Sequence, residues 1–429
     1  CGCRNYQGGK AVSEARFSYS WVIVAAAFCL IFLNGLLLYT FGVFKPYLSD
    51  AVRLTETEVA SIFSLRCIVL AISMPLAGKL SEKYDPKWVI AAGGVIASGG
   101  FFLSGYADSI AELYLFFGVM VGLGDGAFYT LPVAIISRWF KKNRALAIGI
   151  ATTGLPVSGL VLSPLSARLI HDLGIKEAFF TIAAIAFALS LSGLFLRKDP
   201  PETLPSAGAG APPADLDEGS VRAVDALRRS DFWLLYFVFW AGFNAFLIVI
   251  INLYNFSLDS GLGGIKAVNM GLFSIETVGA AIPPALIGVG SIFGRIFFSG
   301  FVLRFVREKR VLLICYLCKA GIIVPILFLS GDWIFYIFGF LFGFFYSGWI
   351  PVFPVILGNL YGLKELGSIF GFFGSGFSLA ALTGPITAGL LRDSIGGYFP
   401  MFMAAVVFCL CAAALTFFVR TQPARGEGG

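Results

Sequence analysis

Long hydrophobic runs separated by short polar breaks make up most of the chain. Each run has about twenty residues or more, which is the length an α-helix needs to cross the hydrocarbon core of a bilayer. Twelve runs can be counted, at 20–44, 58–79, 87–106, 110–137, 145–170, 177–197, 232–258, 282–303, 311–330, 332–358, 366–391 and 397–419. The pattern predicts an all-α membrane protein with twelve transmembrane helices in two six-helix bundles.

The polar breaks suggest where the two bundles are joined. The longest break, 198–231, is rich in Pro, Ala, Gly and acidic residues and predicts a flexible linker that ends in a short surface helix. A second break, 259–281, is expected to fold in part on the outer surface. The expected segments are a leader 1–17, a first bundle 18–197, a linker 198–231, a second bundle 232–420 and a tail 421–429. Two related six-helix halves are typical of secondary transporters.

The distribution of Lys and Arg predicts the orientation in the membrane. With the N-terminus placed inside, 22 of the 31 basic residues fall on inner segments, six on outer segments and three within runs. This positive-inside bias predicts that both termini are cytoplasmic. The net charge of +6 therefore reflects topology, and we do not expect nucleic-acid binding.

Composition narrows the class of protein. The chain has 429 residues, of which 58% are hydrophobic and only 13% charged, so lipid rather than water is the expected solvent. No catalytic triad, metal-ligand cluster or nucleotide-binding loop is evident. We therefore expect neither an enzyme nor a bound cofactor, and predict no coupling to ATP.

Four ionisable residues lie well inside the predicted helices: Arg66, Asp125, Arg295 and Lys319. A charge at the middle of the bilayer costs at least ~2.5–3.5 kcal/mol, so such residues usually mark functional sites. Three of the four are cationic, which suits an anionic ligand. The amine of Lys319 would snorkel or bond a carbonyl.

Arg295 is the strongest candidate anchor. It has no acidic residue within ten positions on either side, and its neighbours at helical spacing cannot neutralise it. A guanidinium binds a carboxylate through two parallel hydrogen bonds. An external carboxylate would therefore balance Arg295.

Asp125 allows two interpretations. It could carry a proton and couple proton transfer to Arg295, with Arg66 as its partner in coupling. Alternatively, it could be a structural partner of Arg66 within the first six helices. The sequence leaves both open.

Several segments resemble a known family. The stretch "GKLSEKYDPK" at 78–87 partly resembles the loop signature of the major facilitator superfamily. The stretches "SRWFKKNRALAIGIATTGLPVSG" at 137–159, "SIFGRIFFSG" at 291–300 and "GSIFGFFGSGFSLAALTGPITAGLLRDSIGGY" at 367–398 are similar to monocarboxylate transporters and the oxalate:formate antiporter group. The resemblance implies two bundles that rock around a central carboxylate site, with Arg295 in the position of the family's substrate anchor.

The chain departs from the family pattern at three positions. Ser291 replaces a common Asp four residues before the anchor, and Asn252 occupies the place of a histidine found in several relatives. Both departures put inherited proton-relay assignments in doubt. Phe377 stands where oxalate exchangers carry a lysine, which argues against a dicarboxylate held by two cations.

Together these observations predict a carrier of small monocarboxylates of the lactate or pyruvate type, coupled to protons. Its partners would be a small organic anion, a proton and the lipid bilayer, and its location a bacterial inner membrane. The residues expected around the substrate with Arg295 are Asn34, Leu38, Tyr129, Leu155, Tyr346, Ile350 and Phe377. The alternatives are a carboxylate exchanger of the oxalate/formate type, in which Arg66 supplies a second cation, and a receptor that senses an anion without transporting it.

Overall fold

A computed structural model describes residues 19–37, 43–44, 52, 54–140, 142–200, 220–269, 274–329 and 331–419. Within these ranges, eleven helical segments are long and apolar enough to cross a membrane. A further helix, Glu308–Ile326, matches the ninth predicted run but carries Glu308, Lys309, Arg310 and Lys319. With this helix included, every predicted run coincides with a helix over the described residues, so the prediction of a twelve-helix protein is confirmed.

The twelve helices are called spans one to twelve in chain order. Their bounds are Tyr19–Leu37, Ser61–Lys83, Pro86–Ser104, Ile110–Trp139, Arg144–Leu162, Ile175–Phe195, Ser230–Asp259, Gly279–Phe305, Glu308–Ile326, Asp332–Tyr361, Leu366–Ile395 and Phe399–Phe418. The helix of span two begins earlier, at Glu56, and the helix of span five continues to Leu173.

Four spans contain interruptions. Span four has a π-helical segment at Tyr114–Val121, just before Asp125, and span eight has one at Phe298–Val302, just after Arg295. Span five breaks at Thr153, between the helices Arg144–Thr152 and Gly154–Leu173, and span ten breaks between Gly348 and Val352. Both in-span π-segments therefore adjoin a buried charge, and π-bulges are frequent at functional sites.

Two polar breaks also contain secondary structure. The end of the 198–231 segment forms the short helix Ala223–Leu227, as predicted. The 259–281 break contains an antiparallel β-hairpin formed by strands Ile265–Asn269 and Ser274–Val278. The hairpin is the one departure from an all-helical structure within the described residues.

The first six and last six spans meet closely at one membrane face. We call it the basic face, because the Lys- and Arg-rich loops after spans two, four and eight lie there with the loop after span ten. Gly78 of span two lies directly against the backbone of Gly367 in span eleven, where a side chain would not fit. Spans two and eleven continue in contact toward the membrane centre, with Gly371 against Met74.

Polar contacts reinforce this closure. The Ser368 hydroxyl donates to Glu82, and the Arg138 guanidinium donates to the Lys364 carbonyl. Arg144 donates to the side-chain oxygen of Asn359 at 2.6 Å and to the Val355 carbonyl at 3.1 Å. The structure is therefore closed at the basic face.

Candidate functional site

Asp125 forms a buried ion pair with Arg66. Its carboxylate lies 2.5 Å from the Arg66 guanidinium, and the two side chains are 0% and 1% exposed. The second carboxylate oxygen accepts a hydrogen bond of 2.7 Å from the Asn34 amide. Spans one, two and four thus supply one neutral cluster, which we call the acid cluster, and the predicted Arg66–Asp125 pairing is present.

Arg66 keeps spare hydrogen-bonding capacity within the acid cluster. Its Nε and Nη1 atoms are buried and have no hydrogen-bond partner among the described residues. The guanidinium carbon lies 5.6 Å from the centre of the Phe63 ring, which gives it a cation–π contact. Two of its donor atoms are therefore available to another acceptor.

Arg295 lies in span eight, on the side that packs against span five. It is 1% exposed, and it donates a hydrogen bond to the backbone carbonyl of Thr152. Its Nε is buried without a partner, and no carboxylate of the described residues forms an ion pair with it. A carbonyl dipole does not neutralise a full charge, so the guanidinium retains a net positive charge at the boundary between the two halves.

The close approach of spans five and eight depends on small residues. Gly149 lies directly under the Ser299 hydroxyl, which donates to the Arg295 carbonyl at 2.5 Å. Two turns before Arg295 on span eight, Gly288 contacts Leu160 of span five. This packing places Arg295 beside the break in span five.

Tyr129 lies near Arg295, although the two residues come from different halves. The pair is close enough for an electrostatic interaction, and the Tyr129 ring stacks on Phe370 of span eleven with centroids 6.1 Å apart. Leu155, half-buried, follows the break in span five, and its carbonyl lies against Gly35 of span one. Leu38 lies outside the described residues.

Aromatic side chains of spans seven, ten and eleven form a continuous wall. The Tyr346 ring stacks on Phe246 with centroids 3.7 Å apart. Phe243 touches Tyr346 at 6.0 Å and Phe377 at 5.0 Å, both edge-on, so it joins spans ten and eleven. Ile350 is buried in the hydrophobic core beside this wall.

Phe243, like Phe246, belongs to this wall but was not predicted from the sequence. Its ring also lies 4.7 Å from Phe239 and 5.0 Å from Trp349. The spacing of Phe239 and Phe243, four residues apart on span seven, was the available signal. It was not distinctive in a chain with 45 Phe residues.

Lys319 is not at a lipid-facing position. Its side chain is 0% exposed, and its ammonium donates at 2.9 Å to the Gly242 carbonyl of span seven. Four aromatic rings surround the ammonium, with centroids at 5.4 to 5.9 Å: Tyr316, Phe342, Tyr346 and Trp349. Of the two alternatives expected for this amine, the structure shows the carbonyl bond and not snorkelling, because Lys319 points inward to span seven.

Ser291 and Asn252, the two polar residues that depart from the family pattern, direct their hydrogen bonds to groups other than Arg295. The Ser291 hydroxyl points to the Gly343 carbonyl of span ten at 3.4 Å, and Asn252 donates to the Ile248 carbonyl of its own helix at 2.8 Å. Neither side chain therefore replaces the acid or histidine that several relatives carry.

Comparison with known proteins places this arrangement in a family. The model of the Major Facilitator Superfamily matches residues 27–318 and 276–428. An uncharacterized transporter of this superfamily type from Escherichia coli, YhjX, is 27% identical over 80% of this chain and 81% of its own length. Monocarboxylate transporter 11 of Mus musculus is 27% identical over 91% of this chain and 85% of its own. Monocarboxylate transporter 12 of Xenopus laevis is 26% identical over 91% of this chain and 87% of its own length.

A solved structure has the same fold. The transporter FucP in the outward conformation superposes with a TM-score of 0.71, covering 94% of this chain and all of its own, at 15% identity. Family members are transporters, not enzymes, which agrees with the lack of catalytic motifs in the sequence. The chain belongs to the Major Facilitator Superfamily, as a multi-pass membrane transporter similar to monocarboxylate transporters.

Proposed function

We propose that this protein carries small monocarboxylates across the membrane and that Arg295 binds the carboxylate. The observation that carries the proposal is a buried guanidinium, at the boundary of the two halves, whose one recorded acceptor is a neutral carbonyl. A carboxylate would supply both the missing charge and two acceptor atoms. The relatives named monocarboxylate transporters support this substrate class.

The residues that we propose to surround the substrate with Arg295 suit a small, partly apolar acid. Tyr129 would donate its hydroxyl to the anion or to its α-substituent, while Leu155, Phe377, Tyr346 and Ile350 would surround the carbon chain. Asn34 of span one would complete the proposed cavity, and we propose that Leu38, outside the described residues, also contributes to it. Pockets of this kind bind through a few polar groups within an apolar lining.

Uptake into proteoliposomes tests the anchor. Arg295→Gln removes the charge, whereas Arg295→Lys keeps a charge but loses the planar fork. We expect Arg295→Gln to lower lactate or pyruvate uptake at least about 100-fold, in line with a charged hydrogen-bonded contact, and Arg295→Lys to retain a residual rate. Arg168→Gln, at an exposed position, is the matched control. Uptake by Arg295→Gln at the wild-type rate would disprove the proposal.

We further propose proton symport through the acid cluster. Protonation of Asp125 would release Arg66 and change how spans one, two and four are held together. The double variant Arg66→Gln with Asp125→Asn keeps the cluster neutral and so avoids a buried unpaired charge. It should lose accumulation driven by a pH gradient while retaining exchange; full accumulation would rule out the cluster as the proton carrier.

Exchange of two carboxylates is the second candidate. The unpartnered Nε and Nη1 atoms of Arg66 favour it, because they could bind part of a second anion. Against it, Arg66 already has Asp125 as its counter-ion. Stimulation of uptake by internal carboxylate, with no response to a pH gradient, would favour exchange over symport. Binding with no transport in either assay would indicate a receptor.

By the positive-inside rule, we propose that the basic face is cytoplasmic, with both termini on that side and the protein in a bacterial inner membrane. The structure would then represent a carrier that is closed toward the cytoplasm.

A further inference from the structure

The carbonyl that Arg295 binds is one that the helix of span five leaves free. In an α-helix, each carbonyl accepts from the N–H four residues later. For Thr152 that residue is Pro156, which has no N–H. The next carbonyl along the chain, that of Thr153, does have its helical partner, the Val157 N–H at 3.1 Å.

The break in span five directs this carbonyl away from the helix. The Thr153 N–H bonds to the Gly149 and Ile150 carbonyls, so the chain turns at Thr153 between two helical segments. The side-chain hydroxyls of Thr152 and Thr153 donate back to the Gly149 and Ile150 carbonyls and do not occupy the Thr152 carbonyl. A buried carbonyl without a donor is costly, and Arg295 supplies the donor.

We infer that the Thr152 carbonyl, freed by Pro156, occupies the anion position of Arg295 in the empty carrier and is displaced by the substrate carboxylate. This inference rests on the proposed function and extends it. It makes Pro156 a positioning residue that acts through a backbone atom. It also explains how Arg295 remains buried without Asp at position 291, where Ser291 bonds toward span ten instead.

Displacement would couple binding to movement. Thr152 belongs to the first six spans and Arg295 to the last six, so their hydrogen bond joins the two halves. A carboxylate that binds the guanidinium breaks that hydrogen bond. Spans five and eight are then held together by packing at Gly149 and Gly288. Substrate binding therefore loosens the one polar link between spans five and eight recorded in the described part of the chain.

The test replaces Pro156 with a residue that has a backbone N–H. Pro156→Ala and Pro156→Ser each allow residue 156 to donate to the Thr152 carbonyl, which then competes less well for Arg295. The apparent affinity for an anion equals the intrinsic affinity multiplied by the fraction of carriers in which the arginine is free. We expect the KM for lactate uptake to fall about tenfold in both variants, since the competing bond involves a charged donor.

Pro325→Ala is the matched control, because Pro325 lies inside span nine, which packs mainly on spans ten and twelve. Its KM should equal that of the wild type. A KM within about twofold of the wild-type value in a folded Pro156 variant would overturn the inference, since such a change is within the scatter of a single weak contact.

Arg295→Gln, measured in parallel, separates the outcomes. If it abolishes uptake while the Pro156 variants behave as wild type, the arginine anchor stands and only the carbonyl competition fails. If wild-type protein binds no carboxylate, the proposed function itself fails.

Discussion

At the residue scale, the acid cluster shows a strict pairing of buried charges. Asp125 and Arg66 are both shielded from solvent and lie 2.5 Å apart. Asp125→Asn would leave the Arg66 charge buried without a counter-ion, which typically costs about 3–5 kcal/mol. The double variant with Arg66→Gln should lose clearly less, because both charges are gone. Thermal unfolding of the detergent-solubilised protein, followed by Trp fluorescence, measures the difference.

An exposed pair provides the control for that experiment. Asp85 lies 3.2 Å from Lys87, with 42% of its side chain exposed. Asp85→Asn should therefore change stability by less than about 1 kcal/mol. Equal destabilisation in the Asp125 single variant and the double variant would contradict the importance of the charge pairing and would point to lost packing instead.

Residue-level prediction identified the buried charges but only some of their partners. The sequence identifies Arg66, Asp125, Arg295 and Lys319 because a charge in a hydrophobic run is conspicuous. It cannot choose the partner of Asp125, since pairing depends on how each helix is rotated about its axis. The Thr152 carbonyl was not selected either, because a backbone atom carries no residue signature, although Pro156 marks the position four residues later.

At the element scale, span five and span eight fit together through Gly149. A methyl group there would collide with the Ser299 side chain and approach the Arg295 carbonyl at 3.1 Å. Gly149→Ala should destabilise the closed basic face by about 1–3 kcal/mol, as overpacking generally does. We expect slower lactate uptake in proteoliposomes, with partial recovery when Ser299→Gly is added to make room.

Gly321 in span nine is the control position, since a methyl group there would meet no other atom within 4 Å. Gly321→Ala should transport as the wild type does. If Gly149→Ala also transported normally, spans five and eight would not need to approach this closely during the cycle.

Element boundaries follow largely from hydropathy, and the irregular parts do not. Each predicted run coincides with a helix because lipid requires about twenty apolar residues in hydrogen-bonded form. The β-hairpin at Ile265–Asn269 and Ser274–Val278 was anticipated only as a folded part of a polar break. The π-segments at Tyr114–Val121 and Phe298–Val302 have no pattern that separates them from an ordinary helix.

At the scale of the whole molecule, the halves touch through two kinds of contact. Side-chain bonds such as that from Arg144 to Asn359 close the basic face, while the bond from Arg295 to Thr152 lies deeper, at the candidate site. Because the deeper bond involves the proposed anchor, an arriving anion would act directly on the boundary between the halves. Recognition and movement would then depend on the same pair of helices.

Under the proposed symport, the acid cluster and Arg295 together would determine how the carrier responds to voltage. The empty protein carries one uncompensated elementary charge on these groups, because Arg66 and Asp125 cancel and Arg295 does not. An anion alone would reduce this charge to zero, whereas an anion with a proton on Asp125 would restore it. In the second case, loaded and empty forms cross the electric field with equal charge, and the complete cycle produces no current.

Electrical recording on solid-supported membranes can detect this equality. Wild-type protein given lactate should generate no sustained current, whereas the Arg66→Gln, Asp125→Asn double variant should become electrogenic. In that variant, moving one charge through the field is worth about 2.3 kcal/mol per 100 mV. A steady current from the wild type would show that the anion crosses without its proton. Under the proposed symport, the ion pair between spans two and four would thus determine whether transport by Arg295, on another helix, is electrically neutral.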